Sequence, residues 1–130
     1  MREIQFRAKA DSSIDKWVYG FLKNDFTINE VLLDGTLHGF NIIPETIGEY
    51  IGKKDINKNA LYVGDIIDAF IIEDNIATMG EIVFDDYFLF YASKNLAGNT
   101  PLYKLTNIKR IGNKVDNPEL LELKNEKNNN

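Results

Sequence analysis

A period of two runs through this chain wherever its hydrophobic pattern is legible. Ile4, Phe6 and Ala8 fall on one side of an extended segment, while Glu3, Gln5 and Arg7 fall on the other. Trp17, Tyr19 and Phe21 alternate in the same way with Lys16, Val18 and Gly20. Side chains two apart share a face of a strand, so these patterns specify half-buried β-structure rather than helix. Alternation alone does not say which face is inside. Trp17, Tyr19 and Phe21 could form a surface patch for a partner or a second subunit, but core packing is the commoner outcome on an alternating strand, so they are expected to pack inward.

Turn chemistry divides the pattern into short strands. Asp11-Ser12-Ser13 separates the first two, and Asp34-Gly35 is a strong hairpin turn between Val31-Leu32-Leu33 and Thr36-Leu37-His38. Thr27 and Glu30 have the spacing of a helix capping box, but Thr27, Ile28, Val31, Ile42 and Ile43 are β-branched, and the hairpin reading prevails. Pro44-Glu45-Thr46 opens a short helical turn, Tyr50-Ile51-Gly52 is extended, and Asp55 to Asn59 is a loop. Leu61-Tyr62-Val63 then leads into Ile66–Ile72, the most apolar strand, expected to be central and covered on both faces. Glu73-Asp74-Asn75 turns the chain. Glu81–Phe84 and Tyr87–Tyr91 flank a turn at Asp85-Asp86, and Leu102–Ile108 is the last expected strand. Asn117-Pro118-Glu119 has the order of a helix N-terminus, with Leu120, Leu121 and Leu123 as its apolar stripe. The expected total is eight to ten strands and one short terminal helix, without an internal repeat.

With 130 residues, the chain has a folded surface of roughly 7,000 Å² against roughly 21,600 Å² extended, which allows a core without covalent staples. It contains no cysteine, so disulfides, thiolate metal sites and a cysteine nucleophile are excluded. No apolar run is long enough for a membrane-spanning helix, and Met1 is followed by charged residues rather than a signal peptide, so a soluble, cytoplasmic protein is expected. Net charge is −5. From Asp65 to Asp86 there are seven acidic residues and no lysine or arginine, a candidate surface for a basic partner.

Few residues carry an argument for chemistry. A zinc site would need the single histidine, His38, with three carboxylates, an unusual donor set. No nucleophile elbow or phosphate loop is present, and Glu73-Asp74 and Asp85-Asp86 lack calcium-loop spacing. Gly64-Asp65 entering an apolar strand reads as turn chemistry, with the aspartate accepting backbone N–H groups. Two basic clusters, Lys53-Lys54 with Lys58 and Lys109-Arg110 with Lys114, could track a single-stranded nucleic acid if they met in space beside Tyr50, Tyr62 or Tyr103. Solvated loop charges are the simpler reading.

Four separated motifs carry a resemblance. The chain opens on Met1-Arg2-Glu3-Ile4-Gln5-Phe6-Arg7-Ala8 and continues with Ile43-Pro44-Glu45-Thr46-Ile47-Gly48-Glu49-Tyr50-Ile51-Gly52-Lys53-Lys54-Asp55. Leu61-Tyr62-Val63-Gly64-Asp65-Ile66-Ile67 follows, and the chain closes on Ile111-Gly112-Asn113 with Asn117-Pro118-Glu119-Leu120-Leu121. In this order they resemble the YopX family of phage and prophage proteins. Lys9 and Ala10 depart from the tryptophan and aspartate usual there. Ile56 to Ala60 lack the usual turn glycine, which makes Asn57 or Asn59 the expected positive-φ residue. The resemblance implies a small, mainly β protein of two compact subdomains and transfers no catalytic residue.

The expected fold is therefore mainly β, with two small barrel-like or half-barrel subdomains and a short C-terminal helix. Residues 1–124 form one compact domain with a soft split near 44–60, and 125–130 form a disordered tail. The expected function is that of a non-enzymatic interaction module without cofactor, contacting a phage or host protein and self-associating through open strand edges. The alternative is nucleic-acid binding through Lys53, Lys54, Lys58, Lys109, Arg110 and Lys114. Gly64, Asp65, Asn117 and Pro118 are expected to be structural.

Overall fold

The computed structural model describes residues 5–84, 90–95 and 98–121. It is mainly β, and the chain divides into two compact units, Met1–Gly52 and Lys53–Asn130. The strands form two antiparallel sheets, neither of which closes into a barrel.

In the first unit, β1 (Phe6–Ala10), β2 (Ser13–Asn24), β3 (Thr27–Val31), β4 (Leu37–Asn41) and β5 (Gly48–Lys54) are ordered β4-β3-β2-β1-β5. The Asp34-Gly35 hairpin joins β3 to β4 in unbroken register from Thr27↔Asn41 to Val31↔Leu37. Its tip is held by Asp34, whose Oδ1 accepts the Thr36 N–H at 3.0 Å and the Thr36 hydroxyl at 2.6 Å. A 3-10 turn at Pro44–Thr46 leads into β5, and the Thr46 hydroxyl accepts the Lys9 N–H at 2.8 Å.

The core of this unit is Ala8, Ala10, Val18, Ile28 and Ile42, with Phe6, Leu22, Phe40 and Ile47 packed against it. Trp17, Tyr19 and Phe21 are therefore on the opposite face, contrary to the sequence expectation. Tyr19 and Phe21 are 41% and 52% exposed. Trp17 lies against cations, with the Arg7 guanidinium and the Lys9 ammonium each 4.7 Å from its ring centroid. The alternation was legible, but small and branched residues occupy the inner face. Gly20 belongs to the same strand because β3 crosses so closely that a Cβ there would lie 2.1 Å from the Asn29 carbonyl oxygen.

The second unit begins within the last residues of β5 and continues through the Asp55–Asn59 loop into β6 (Ala60–Tyr62). A five-stranded sheet follows, built from β7 (Asp65–Ile71), β8 (Ile76–Phe84), β9 (Phe90–Asn95), β10 (Gly98–Pro101) and β11 (Leu105–Asn113), in the order β10-β9-β8-β7-β11. The buried apolar residues of this unit include Leu61 of β6 and Ile66, Ile67, Ala69, Ile82, Leu105 and Ile108 of the sheet. β7 is thus next to an edge strand, and it is buried on both faces only through Ile67. Beyond that point Asp68 and Phe70 are exposed while Ala69 is buried. Leu102–Lys104 is a 3-10 turn rather than the start of the last strand. Tyr87 to Leu89 and the Asp85-Asp86 turn lie outside the described residues, as do Leu123 and the 125–130 tail.

Candidate interaction surfaces

Asp55 organises the first candidate surface, in the second unit. Its Oδ1 accepts the Asn57 and Asn59 N–H groups at 2.9 and 2.8 Å, and its Oδ2 accepts the Arg110 N–H at 2.9 Å and the Asn59 side-chain amide at 3.3 Å. Burial pushes the Asp55 carboxyl up, but the N–H groups of Arg110, Asn59 and Asn57 together outweigh it and hold the group below its ordinary value. Closing the loop on one carboxylate puts residue 58 in the left-handed region. The positive-φ residue is therefore Lys58 (φ 67°), not either neighbouring asparagine, whose polar groups are engaged by Asp55. The Ile56 N–H also donates to the Ile108 carbonyl at 2.9 Å, so the loop covers the outer edge of β11.

This docking brings Lys58 of the loop, and Lys53 and Lys54 at the end of β5, to the strand of Lys109 and Arg110. Lys53, Lys54, Ile56, Thr106 and Asn107 line a cleft of about 200 Å³. Ile56 and Asn107 also border a more apolar cleft of about 510 Å³, with Ala69, Phe70, Ala77 and Lys109. Among the described residues, Lys53, Lys54, Lys58 and Lys109 form no ion pair or side-chain hydrogen bond. Arg110 differs, reaching the Ala60 carbonyl at 3.4 Å. Lys114 is elsewhere, packed over Gly64 and 3.8 Å from Glu81. Tyr50 and Tyr62 are buried, so neither is a stacking platform; Tyr103 is exposed but borders neither cleft.

The remaining sequence candidates have local partners. The Tyr62 N–H donates to Asp65 Oδ2 at 2.8 Å, while Gly64, at φ +99°, donates its N–H to the Ile82 carbonyl and accepts the Lys114 N–H. Asn117 Oδ1 accepts the Asn113 N–H at 3.1 Å, and the helical turn after Pro118 opens at Glu119. A Cβ on Gly112 would lie 2.7 Å from that same Asn117 oxygen. Among the described residues, Asp65, Asp68, Asp74 and Glu81 of the acidic run do not form one surface. Asp65 is buried, Asp68 is opposite Lys109, Asp74 accepts the Ile76 N–H and Glu81 faces Lys114. Among the described residues, no group of three metal-ligating side chains converges, and no helix is long and apolar enough to cross a membrane. His38 stacks on Phe40 at 4.4 Å and borders neither cleft.

The second candidate surface is the outward face of the first unit, where Tyr19 and Phe21 follow the surface-patch alternative rather than the favoured core placement. The register aligns Phe21 with Asn29, Asn29 with Gly39 and Val31 with Leu37, so these residues share one face with Tyr19. Val31 is 51% and Leu37 61% exposed, and Leu33 at the adjoining tip is fully exposed. Large apolar groups thus continue across three strands around the low Asn29–Gly39 floor.

A family model described as YopX protein matches residues 5–122. No curated protein matches the sequence.

Proposed function

Since this chain belongs to the YopX family, we propose that it is a phage or prophage accessory module that acts by protein contact rather than catalysis, through the outward face of its first unit. The observation that carries this reading is the continuous exposed set Tyr19, Phe21, Val31 and Leu37. Apolar patches of this kind, when rimmed by polar residues, mark interaction sites. The hairpin tip is pre-organised by Asp34, so binding costs little ordering entropy there. The experiment is affinity capture from host and phage-infected lysates, with and without nuclease, comparing wild type with a Phe21→Ser, Leu37→Ser variant. A stoichiometric protein retained by wild type after nuclease and lost by the variant is expected. Equal retention by both would refute the assignment of this face.

A second reading, nucleic-acid binding, draws on the loop docking that gathers Lys53, Lys54, Lys58 and Lys109. Arg110 and Lys114 contribute less to it, because one contacts Ala60 and the other is beside Glu81. Four lysines neutralising four phosphates of a single strand give a log–log salt slope of about −3. Anisotropy of a labelled oligonucleotide titrated at several salt concentrations measures that slope. Retained affinity in a Lys53→Glu, Lys54→Glu, Lys109→Glu variant would remove this reading.

A further inference from the structure

β4 is the edge of its sheet, and nothing in its sequence defends it. Leu37-His38-Gly39-Phe40-Asn41 contains no charged residue and no proline, and its pairing with β3 contains no bulge. Those are the usual devices that keep an open edge from pairing with another chain. The Leu32 N–H donates to the Thr36 carbonyl and the Ile42 N–H to the Phe26 carbonyl. In an antiparallel ladder, bonded and non-bonded pairs alternate, so His38 and Phe40 direct their backbone groups to β3. Leu37, Gly39 and Asn41 direct theirs away. The Asn41 carbonyl already accepts the Asp11 N–H at 2.8 Å. Among the described residues, Leu37 and Gly39 are therefore the two positions of β4 with both an outward donor and an outward acceptor available.

We infer that this edge pairs with β4 of a second copy, antiparallel about a two-fold axis through His38, with Leu37 of each chain bonded to Gly39 of the other. The inference rests on the interaction reading of the same unit and names one partner for it. Two positions spaced by two residues, each with a donor and an acceptor, are their own complement under a two-fold axis, as an isologous interface requires. A register centred on Gly39 would instead need the Asn41 carbonyl, which is taken. The edge is also uncharged in a chain of net charge −5, so pairing there brings no strand charges together. It would extend the Tyr19, Phe21, Val31, Leu37 face across the axis.

The axis places the two His38 side chains directly opposite each other, where like charges are destabilising and opposite charges favourable. The test is sedimentation velocity of wild type, His38→Glu, His38→Lys and an equimolar mixture of the two variants, with circular dichroism confirming that each is folded. Wild type is expected to shift from monomer to dimer mass as concentration rises. Each variant alone should be monomeric, and the mixture should recover the dimer. A wild type that stays monomeric at every concentration overturns the inference, as do single variants that dimerise like wild type. If wild type is monomeric yet still captures a partner that the Phe21→Ser, Leu37→Ser variant loses, the self-pairing falls and the interaction reading stands. If the mixture recovers the dimer while no other protein is captured, self-pairing stands and a foreign partner for this face is rejected.

Discussion

Replacing Asp55 by alanine isolates the group that holds the 55–59 loop against β11. The carboxylate accepts three backbone N–H groups at 2.8–2.9 Å and one side-chain amide at 3.3 Å. A hydrogen bond to a charged group contributes about 1.5–3 kcal/mol, and a neutral one about 1 kcal/mol. The Asn57 N–H is on an exposed residue and regains water on truncation, whereas those of Arg110 and Asn59 are half-buried. The expected loss is therefore about 2–4 kcal/mol locally rather than the full sum of the bonds. Native-state hydrogen exchange by NMR reads this site directly. A loss of about 2–4 kcal/mol corresponds to about 30- to 1,000-fold less protection at the Arg110 and Asn59 amides, provided they exchange through loop opening. Amides of the first unit, such as Ile28, should be unaffected. Asp55→Asn keeps one acceptor oxygen and should fall between wild type and alanine. The same bonds set a pH dependence. The folded-state pKa lies below the unfolded one, so the contribution is present above the ordinary carboxylate range and is lost as pH falls through the depressed folded value. Less than a threefold change in protection at Arg110 would refute the view that this carboxylate holds the loop.

Three further substitutions test the packing. Gly20→Ala puts a Cβ against the Asn29 carbonyl and should cost at least about 1–3 kcal/mol, read as a lower denaturant midpoint by Trp17 fluorescence. Ile28→Ala empties a fully buried core position and should cost about 2–5 kcal/mol in the same assay, without the backbone clash. Lys114→Ala removes a 3.8 Å pair with Glu81 from a side chain that is 46% exposed, so the midpoint should move by less than about 1 kcal/mol at low salt. A larger loss would mean that the lysine stem packed over Gly64 matters more than its charge.

The local vocabulary of the chain was legible because short-range chemistry decides it. The Asp34-Gly35 hairpin overrode the Thr27–Glu30 capping spacing, since β-branched residues and a two-residue turn signal act within a few residues of each other. The Pro44–Thr46 turn and the Asp55–Asn59 loop follow from the same local preferences. Even in that loop, the residue taking positive φ was misjudged, because the choice depends on the Arg110 N–H, 55 positions away in the chain. The basic clusters were visible as residue types, but their separation into four unpaired lysines, an engaged Arg110 and a distant Lys114 was not. Charge runs carry no information about which strands become neighbours.

From the amino-acid order alone come most of the strands, the Asp34-Gly35 hairpin, the absence of thiol chemistry and the resemblance to one family, although eleven strands are described where eight to ten were expected. These depend on periodicity, turn residues and composition, each readable in a short window. Which face of β2 is inside, which strand is left at an edge, and whether loop 55–59 reaches β11 were decided only by the tertiary structure. Alternation determines two faces but does not label them. The label comes from what the rest of the chain packs against. Here Ala8, Val18 and Ile28 close over Ile42, and Tyr19 and Phe21 are left outside.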